Sequence, residues 1–308
     1  MNLRPFTRCL LLWAACLGGA WAACPPPLAQ PSAEQVATWT ARAPDRGLLW
    51  RISKGGHSSY LFGSLHMGRA DWAYPGPALR AAWAATEVLA VELDPADVGP
   101  ALAAMPQEAP LPAPLARQLQ AQLVAACLPA AALQALPAVL QLTTLSLTEA
   151  RRDGFDAAYG QDLMLMAWAR AEGRPVQSLE SVQEQMDALS PPPGELAAVV
   201  TSGLQQLRRG QVRAPMRKLA EVWSRGDLKT LADYPRWCGC ADTPAERAWM
   251  TRVNDGRNGP LAARISALHG AGQRLLVAVG ALHMTGPQAL PRLLAAEGFT
   301  VEALLPSQ

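Results

Sequence analysis

The chain carries little charge, and almost no excess of one sign. Of 308 residues, 27 are Lys or Arg and 25 are Asp or Glu, a net charge of +2. Nucleic acid and anionic membrane surfaces are held through dense positive charge, so neither is expected as a partner. The basic pairs Arg151-Arg152 and Arg208-Arg209 read as solvated helix faces. Histidine is scarce, with four residues. Past the N-terminal segment no apolar run reaches the ~18 residues that a membrane helix needs. No Gly-x-Ser-x-Gly elbow, phosphate-binding loop, dinucleotide fingerprint or His-Glu-x-x-His is present. Ser64 follows Gly63 but lacks a Gly two positions later, which argues against a serine nucleophile.

What is present begins with apolar bulk. Half of the residues are apolar, enough for a sizeable core. At the N-terminus Arg4 and Arg8 precede an apolar run from Cys9 to Trp21, with small residues at Ala20, Ala22 and Ala23. This is the order of a secretory signal peptide over residues 1–23, cut after Ala22 or Ala23. The second cut would leave Cys24 first, as in a lipoprotein. Trp21, however, stands where the lipid-attachment motif carries an aliphatic residue. We therefore expect a periplasmic or secreted protein without an integral membrane segment. Two of the six cysteines lie in the signal peptide. Cys24, Cys127, Cys238 and Cys240 remain as disulfide candidates with three possible pairings. Zinc at Cys238-x-Cys240 is the weaker reading, because no second ligand pair is near.

The pattern predicts strands at Trp50–Ser53 and Ser59–Gly63, joined by the Lys54-Gly55-Gly56-His57 turn, and at Val88–Leu93, Pro175–Leu179, Arg274–Val279 and Phe299–Leu304. Helices are expected over Pro77–Thr86, Phe155–Ala171, Gln183–Leu189, 194–225, 244–269 and Pro287–Glu297. Between 96 and 150, proline-interrupted helical material fills the chain. Strands at both ends with one in the middle give an α/β (α+β) fold. We expect one domain over residues 24–308, with a central mixed sheet built from N- and C-terminal segments and a large helical insert at about 96–270.

Two stretches stand out against this background. Tyr60-Leu61-Phe62-Gly63-Ser64-Leu65-His66-Met67-Gly68 and Val277-Ala278-Val279-Gly280-Ala281-Leu282-His283-Met284-Thr285-Gly286 share one form, an apolar strand followed by Gly-x-Leu-His-Met and a further Gly. Glycine at a strand end permits a sharp turn and close approach of a ligand. The His then lies past the strand's carboxyl end, where sites assemble in open α/β sheets. Neutral imidazole is a metal ligand or a general base. Two further strands end in carboxylates, Glu92 and Glu180, which need a partner if buried. Glu180 has the alternative of capping the helix that follows it. If these strands are neighbours, two His and two Glu converge, an adequate set for Zn²⁺, Mn²⁺ or Co²⁺. His57, in a Gly-rich turn, and His269, at a helix end, read as structural or exposed.

At these residues the chain resembles the TraB/PrgY/GumN family, which includes the Tiki proteases. Members pair an N-terminal Gly-x-x-His with a C-terminal one and place a Glu after the intervening strand, here Gly63 to His66, Gly280 to His283, and Glu92. Gly160-Gln161-Asp162, Gly173-Arg174-Pro175-Val176, Leu179-Glu180-Ser181 and Arg257-Asn258 resemble the GumN branch. The likeness runs from about 48 to 305 and is absent from 96–150. It implies a fold shared with erythromycin esterase-like and ChaN-like proteins. The Tiki branch implies metal-dependent proteolysis with Mn²⁺ or Co²⁺, TraB and PrgY imply shutdown of peptide pheromones, and GumN implies a link to exopolysaccharide genes.

Motif and resemblance together lead us to expect a metal-dependent hydrolase, a peptidase acting on exported peptides or proteins. His66, Glu92 and His283 would hold one divalent metal. Glu180 would be a fourth ligand, a partner behind the ligands, or the general base. Arg257 and Asn258 would bind the substrate carboxylate or the oxyanion, and Asp162 would orient one of these groups. The competing expectations are a non-catalytic protein binding haem or peptide in the same pocket, and an accessory protein of envelope biogenesis.

Overall fold

The computed structural model describes residues 24–305 other than 29, 105–109 and 193; the signal peptide expected over 1–23 lies outside the described residues. Strands β1 (Leu48–Lys54) and β2 (His57–Ser64) form the expected hairpin. Gly55 and Gly56 turn it with φ of +61° and +85°, the conformation that suits the twist of the flanking strands. Strands β3 (Val88–Val91), β4 (Val176–Ser178), β5 (Leu275–Gly280) and β6 (Thr300–Leu305) complete a mixed sheet of order β4-β3-β5-β2-β1-β6. The four strands β4, β3, β5 and β2 run parallel, while β1 is antiparallel to both β2 and β6. β3 is buried throughout and β5 over its first five residues, as their near-continuous apolar sequences require of interior parallel strands. The architecture is α/β, with strands from both chain ends interleaved in one sheet.

Helices cover the sheet and fill the insert. The main core gathers sheet residues with Trp72, Leu165, Trp223 and Leu261. A second cluster, including Leu119, Leu123, Leu145, Val200 and Leu204, lies among helices Ala113–Ala125, Ala138–Glu149 and Leu196–Arg208. Trp223 ties the layers together. Its Nε1 donates to the carbonyl of Gly63, 2.6 Å away, at the end of β2. Its ring lies so close to Gly47, at φ +80°, that a Cβ there would come within 2.7 Å of it.

Several helices differ from expectation, each for a local reason. The helix expected over Phe155–Ala171 begins only at Gln161. Phe155 is drawn into the core beside Trp72, and Asp156 pairs with Gly68 in both directions at 2.8 and 3.0 Å. Asp156 then caps a short 3-10 turn over Ala157–Tyr159. The stretch 194–225 splits into Leu196–Arg208 and Arg213–Ser224, with Gly210 at φ +67° between. The stretch 244–269 splits at Asn254 into Pro244–Val253 and Asp255–Gly270. His57 and His269 are structural: their rings stack at 3.8 Å, and buried His269 bonds Ser59 Oγ and the Lys54 carbonyl at 2.9 Å each. Among the described residues no helix is long and apolar enough to cross a membrane.

The four cysteines pair as Cys24–Cys127 and Cys238–Cys240. Cys24 in a disulfide has no thiol left for lipid attachment. Cys127 has φ 56°, a left-handed conformation usual for glycine at a helix end. The two bridges do different things to the unfolded chain. A cross-link closing about 100 residues removes roughly 4.7 kcal/mol of chain entropy, and one closing three residues roughly 1.6 kcal/mol by the same relation. Replacing Cys24 and Cys127 by Ser should therefore lower unfolding stability by about 2–5 kcal/mol, and replacing Cys238 and Cys240 by much less. Urea midpoints under non-reducing conditions test this, and equal losses would contradict it.

Candidate functional site

The strand order assembles the site. Ser64 of β2 is opposite Gly280 of β5, and Val91 of β3 is opposite Ala278 of β5 and Ser178 of β4. The chain therefore leaves four neighbouring parallel strands at one edge. His66 follows β2, His283 follows β5, Glu92 follows β3 and Glu180 follows β4, and the adjacency that the motif reading required is present. The ladder continues past β3 and β4, where the Glu180 amide donates to the Glu92 carbonyl at 3.0 Å.

Each loop is anchored so that one side chain is presented. Leu65 and Met67 are buried, while the His66 ring between them is 60% exposed. The Gln161 amide donates to the Leu65 carbonyl at 2.8 Å. This brings the Gln161–Ala171 helix against the His66 loop, and Asp162 Oδ2 lies 3.0 Å from His66 Nδ1. A Cβ at Gly160 would sit 3.0 Å from the His66 carbonyl group, so glycine allows that approach. On β5, the Gly280 amide donates to Glu92 Oε1 at 2.6 Å. A Cβ on Gly280 would lie 3.2 Å from Glu92 Oε1, 3.6 Å from His283 Cδ2 and 3.9 Å from His66 Nε2, so this glycine is a floor common to all three.

Arg257 and Asn258 come from the second residue pair of the Asp255–Gly270 helix and are buried under the site. Arg257 joins both carboxylates: Nη2 donates to Glu92 Oε2 at 2.5 Å and to Glu180 Oε2, and Nε donates to Glu180 Oε1 at 2.9 Å. Its Nη1 lies 3.5 Å from His283 Nε2. Glu180 thus grips Arg257 and does not cap the next helix. That cap is Ser181, in a capping box with Glu184. Asn258 Nδ2 donates to the carbonyls of Gln288 (2.8 Å) and His283 (3.4 Å), which turns Oδ1 toward His283 Nδ1 at 2.5 Å. An acceptor there fixes the proton on Nδ1 and leaves the Nε2 lone pair facing Glu92 Oε1, 3.7 Å away. Asn258 was expected as a substrate contact; the structure sets it wholly inside, behind His283.

Charges are sorted by this packing. Burial pushes Glu92 up, but His283, Arg257, His66 and the Gly280 amide outweigh it and hold the carboxyl well below its ordinary range. Burial raises Glu180, only partly offset by Arg257. Burial works against the charge on Arg257, yet Glu180 and Glu92 carry its pKa above the usual value. The negative charge of Asp162, more than any other influence, pushes His66 up to about 9. Burial lowers His283 to about 4, with Glu92 opposing. Beside His66, buried Ser64 Oγ and Asp162 Oδ1 have no hydrogen-bond partner among the described residues. Among those residues no three His, Cys, Asp or Glu side chains form a ready metal cage.

Motif reading found His66, Glu92, Glu180 and His283, and these are brought together. It placed Arg257 and Asn258 near the site but missed that one clamps the carboxylates and the other sets a tautomer. A buried Arg-Asn pair opening a helix after two strand-end carboxylates was the available signal. His283 gives a pH test. An unfolded imidazole titrates near 6.5, whereas folded His283 stays neutral down to about 4. The unfolded chain therefore takes up a proton first, and stability present above pH 6.5 is lost as pH falls toward 4. Folded His66 keeps its proton throughout, and the proton its unfolded form takes up near pH 6.5 contributes equally to wild type and to a His283 variant, so it cancels between them. His283→Gln should remove a loss of about 3 kcal/mol from the pH 7 to pH 4 decline. Urea midpoints of the two proteins check this, and parallel declines would overturn it.

Comparison with curated proteins and with solved structures finds no match. The sequence model of the TraB/PrgY/gumN family matches residues 48–303, from the first residue of β1 into β6, and so spans every strand and side chain of the site. The chain belongs to the TraB/PrgY/gumN family.

Proposed function

We propose that the protein is a metal-dependent hydrolase that cleaves peptides or proteins outside the cytoplasm. One observation carries the reading. Glu92 Oε1 and His283 Nε2, both lone-pair acceptors, face each other 3.7 Å apart in a buried setting, with His66 Nε2 bordering the same glycine floor. Arg257 bridges the two residues from one side, and a single divalent ion with bonds of about 2.0–2.2 Å could span the same distance from the other. The donor chemistry fits Mn²⁺, Co²⁺ or Zn²⁺. Hydrogen bonds from the far ring nitrogens support it too: Asp162 on His66 and Asn258 on His283 are the kind of partner that orients ligating imidazoles. Two disulfides favour an oxidising compartment, in line with the signal-type segment at residues 1–23.

When bound, the ion would polarise the scissile carbonyl and supply an activated water. The chain's own groups have distinct tasks. Asp162 and Asn258 hold the protons on the two Nδ1 atoms. Glu180 fixes Arg257, whose Nη1 donates to the Val253 carbonyl at 3.2 Å and lies 3.5 Å from His283 Nε2, so the guanidinium positions the carboxylates and the imidazole. A groove of about 310 Å³ lined by Glu180, Arg252, Gly256, Arg257 and Arg264 adjoins the clamp without reaching His66, Glu92 or His283, and the flank of a peptide beyond the scissile bond would lie there.

One observation favours the second reading, a binding protein without turnover. Arg257 already pairs with Glu92, so that carboxylate has a cationic partner without a metal. The pocket would then hold haem or a peptide. Metal analysis separates the two. Wild type should bind about one Mn²⁺ per chain, His66→Ala and His283→Ala should abolish this, and Asn258→Leu should weaken it about 10–100-fold. Absence of binding, or affinity indifferent to both histidines, would reject the hydrolase reading. A Soret band with haemin would then support the other.

A further inference from the structure

The Cys238–Cys240 bridge has no evident structural task. One residue separates its cysteines, so it constrains little of the unfolded chain, whereas Cys24–Cys127 spans 103 positions. The backbone around it is held by other means. The Cys238 amide donates to the Tyr234 carbonyl at 3.0 Å, Thr243 caps the next helix in a box with Glu246, and Arg247 Nη1 donates to the carbonyls of Ala241 (3.0 Å) and Asp242 (2.8 Å). Opening the bridge removes none of these.

The bridge is also built asymmetrically. Cys238 is buried at 6% exposure, and Cys240 is half-buried. Gly239 between them is exposed, at φ +65°, and nothing lies within 4 Å of where its Cβ would point. With no side chain at Gly239 and Cys238 the more deeply buried of the two, Cys240 is the more approachable end. The Cys240 amide donates to Cys238 Sγ at 3.0 Å. A hydrogen bond to sulfur stabilises a thiolate, and a better-stabilised thiolate leaves faster in exchange. Attack at Cys240 with departure of Cys238 is the direction this arrangement favours.

We propose that Cys238-Gly239-Cys240 is a thiol–disulfide exchange site whose reaction partner is a dithiol. One thiolate of the partner bonds to Cys240 Sγ, the Cys238–Cys240 bond breaks, and Cys238 leaves as thiolate and takes up a proton. The partner's second thiolate then attacks its own sulfur in the mixed disulfide, releasing Cys240 as thiolate, which is also protonated. The partner loses two electrons and two protons and becomes a disulfide; Cys238 and Cys240 gain them as two thiols. In reverse, the Cys238 and Cys240 thiols reduce a partner disulfide to its dithiol, and the bridge re-forms. This site stands apart from the hydrolase reading and does not depend on it.

The native, fully oxidised protein tests the proposal without any substitution. It is equilibrated with increasing dithiothreitol, the free thiols are alkylated, and each cysteine is quantified by peptide mass spectrometry beside far-ultraviolet circular dichroism. Cys238 and Cys240 should become alkylated at reductant concentrations at least tenfold below those needed for Cys24 and Cys127, with an unchanged spectrum. Brief exposure to glutathione should place the first adduct on Cys240. Joint opening of both bridges, opening only together with loss of the spectrum, or a first adduct on Cys238 would overturn the proposal.

Discussion

The guanidinium of Arg257 is the contact on which the site depends. Two carboxylates stand buried at the end of neighbouring strands, and neither could remain there as an unpaired charge. One planar cation with several donors answers both, through Nε and Nη2. The same clamp fixes the Asp255–Gly270 helix against β3 and β4. With it, Asn258 arrives under His283 one residue later. Removing this charge would leave two buried anions in contact, so its loss would be felt in the fold before it was felt in any chemistry. Lysine would not replace it, because an ammonium lacks the fork that reaches both carboxylates at once.

Around that clamp the sheet supplies proximity and the loops supply direction. Four parallel strands deliver four ionisable side chains to one edge with no long loop. Buried neighbours such as Leu65, Met67 and Met284 hold each turn in place. The environments then separate like residues: His66, beside Asp162 at the exposed rim, favours its proton, and His283, enclosed by protein, rejects one. Glu92 and Glu180 diverge in the same way, since Glu92 has an amide, an imidazole and a guanidinium, and Glu180 relies on the guanidinium.

Much of this was legible in the sequence, and the failures have physical causes. The strands were found because interior parallel strands are nearly all apolar and the hairpin turn is two glycines. The repeated Gly-x-Leu-His-Met unit marked both histidines. The helix expected from Phe155 was misplaced because periodicity does not register tertiary pull: Phe155 packs on Trp72, and Asp156 pairs with Gly68 instead of continuing a helix. The break at Asn254 has a local signal, Asn254-Asp255-Gly256 with Gly259-Pro260 after it, which a reading by periodicity passes over. Arg257 and Asn258 were noticed but read as facing a ligand, because a sequence shows that polar residues are special without showing which way they turn. The bond from Trp223 to the Gly63 carbonyl has no sequence signal at all; a tryptophan in a helix looks like any core residue.

The position of β5 has a consequence for how the molecule comes into being. It lies between β2 and β3, yet it is the second-last strand in the chain. A polypeptide emerging amino end first has only the β1–β2 hairpin on one side and β3 with β4 on the other, each with an unfilled edge. No sheet joins them until Leu275 and its successors arrive. The four ionisable residues of the site stay strangers for most of synthesis, and a chain cut short before that strand would hold two separate fragments of a sheet and no site. The sheet, and with it the site, can close only when Leu275 and the residues after it are present.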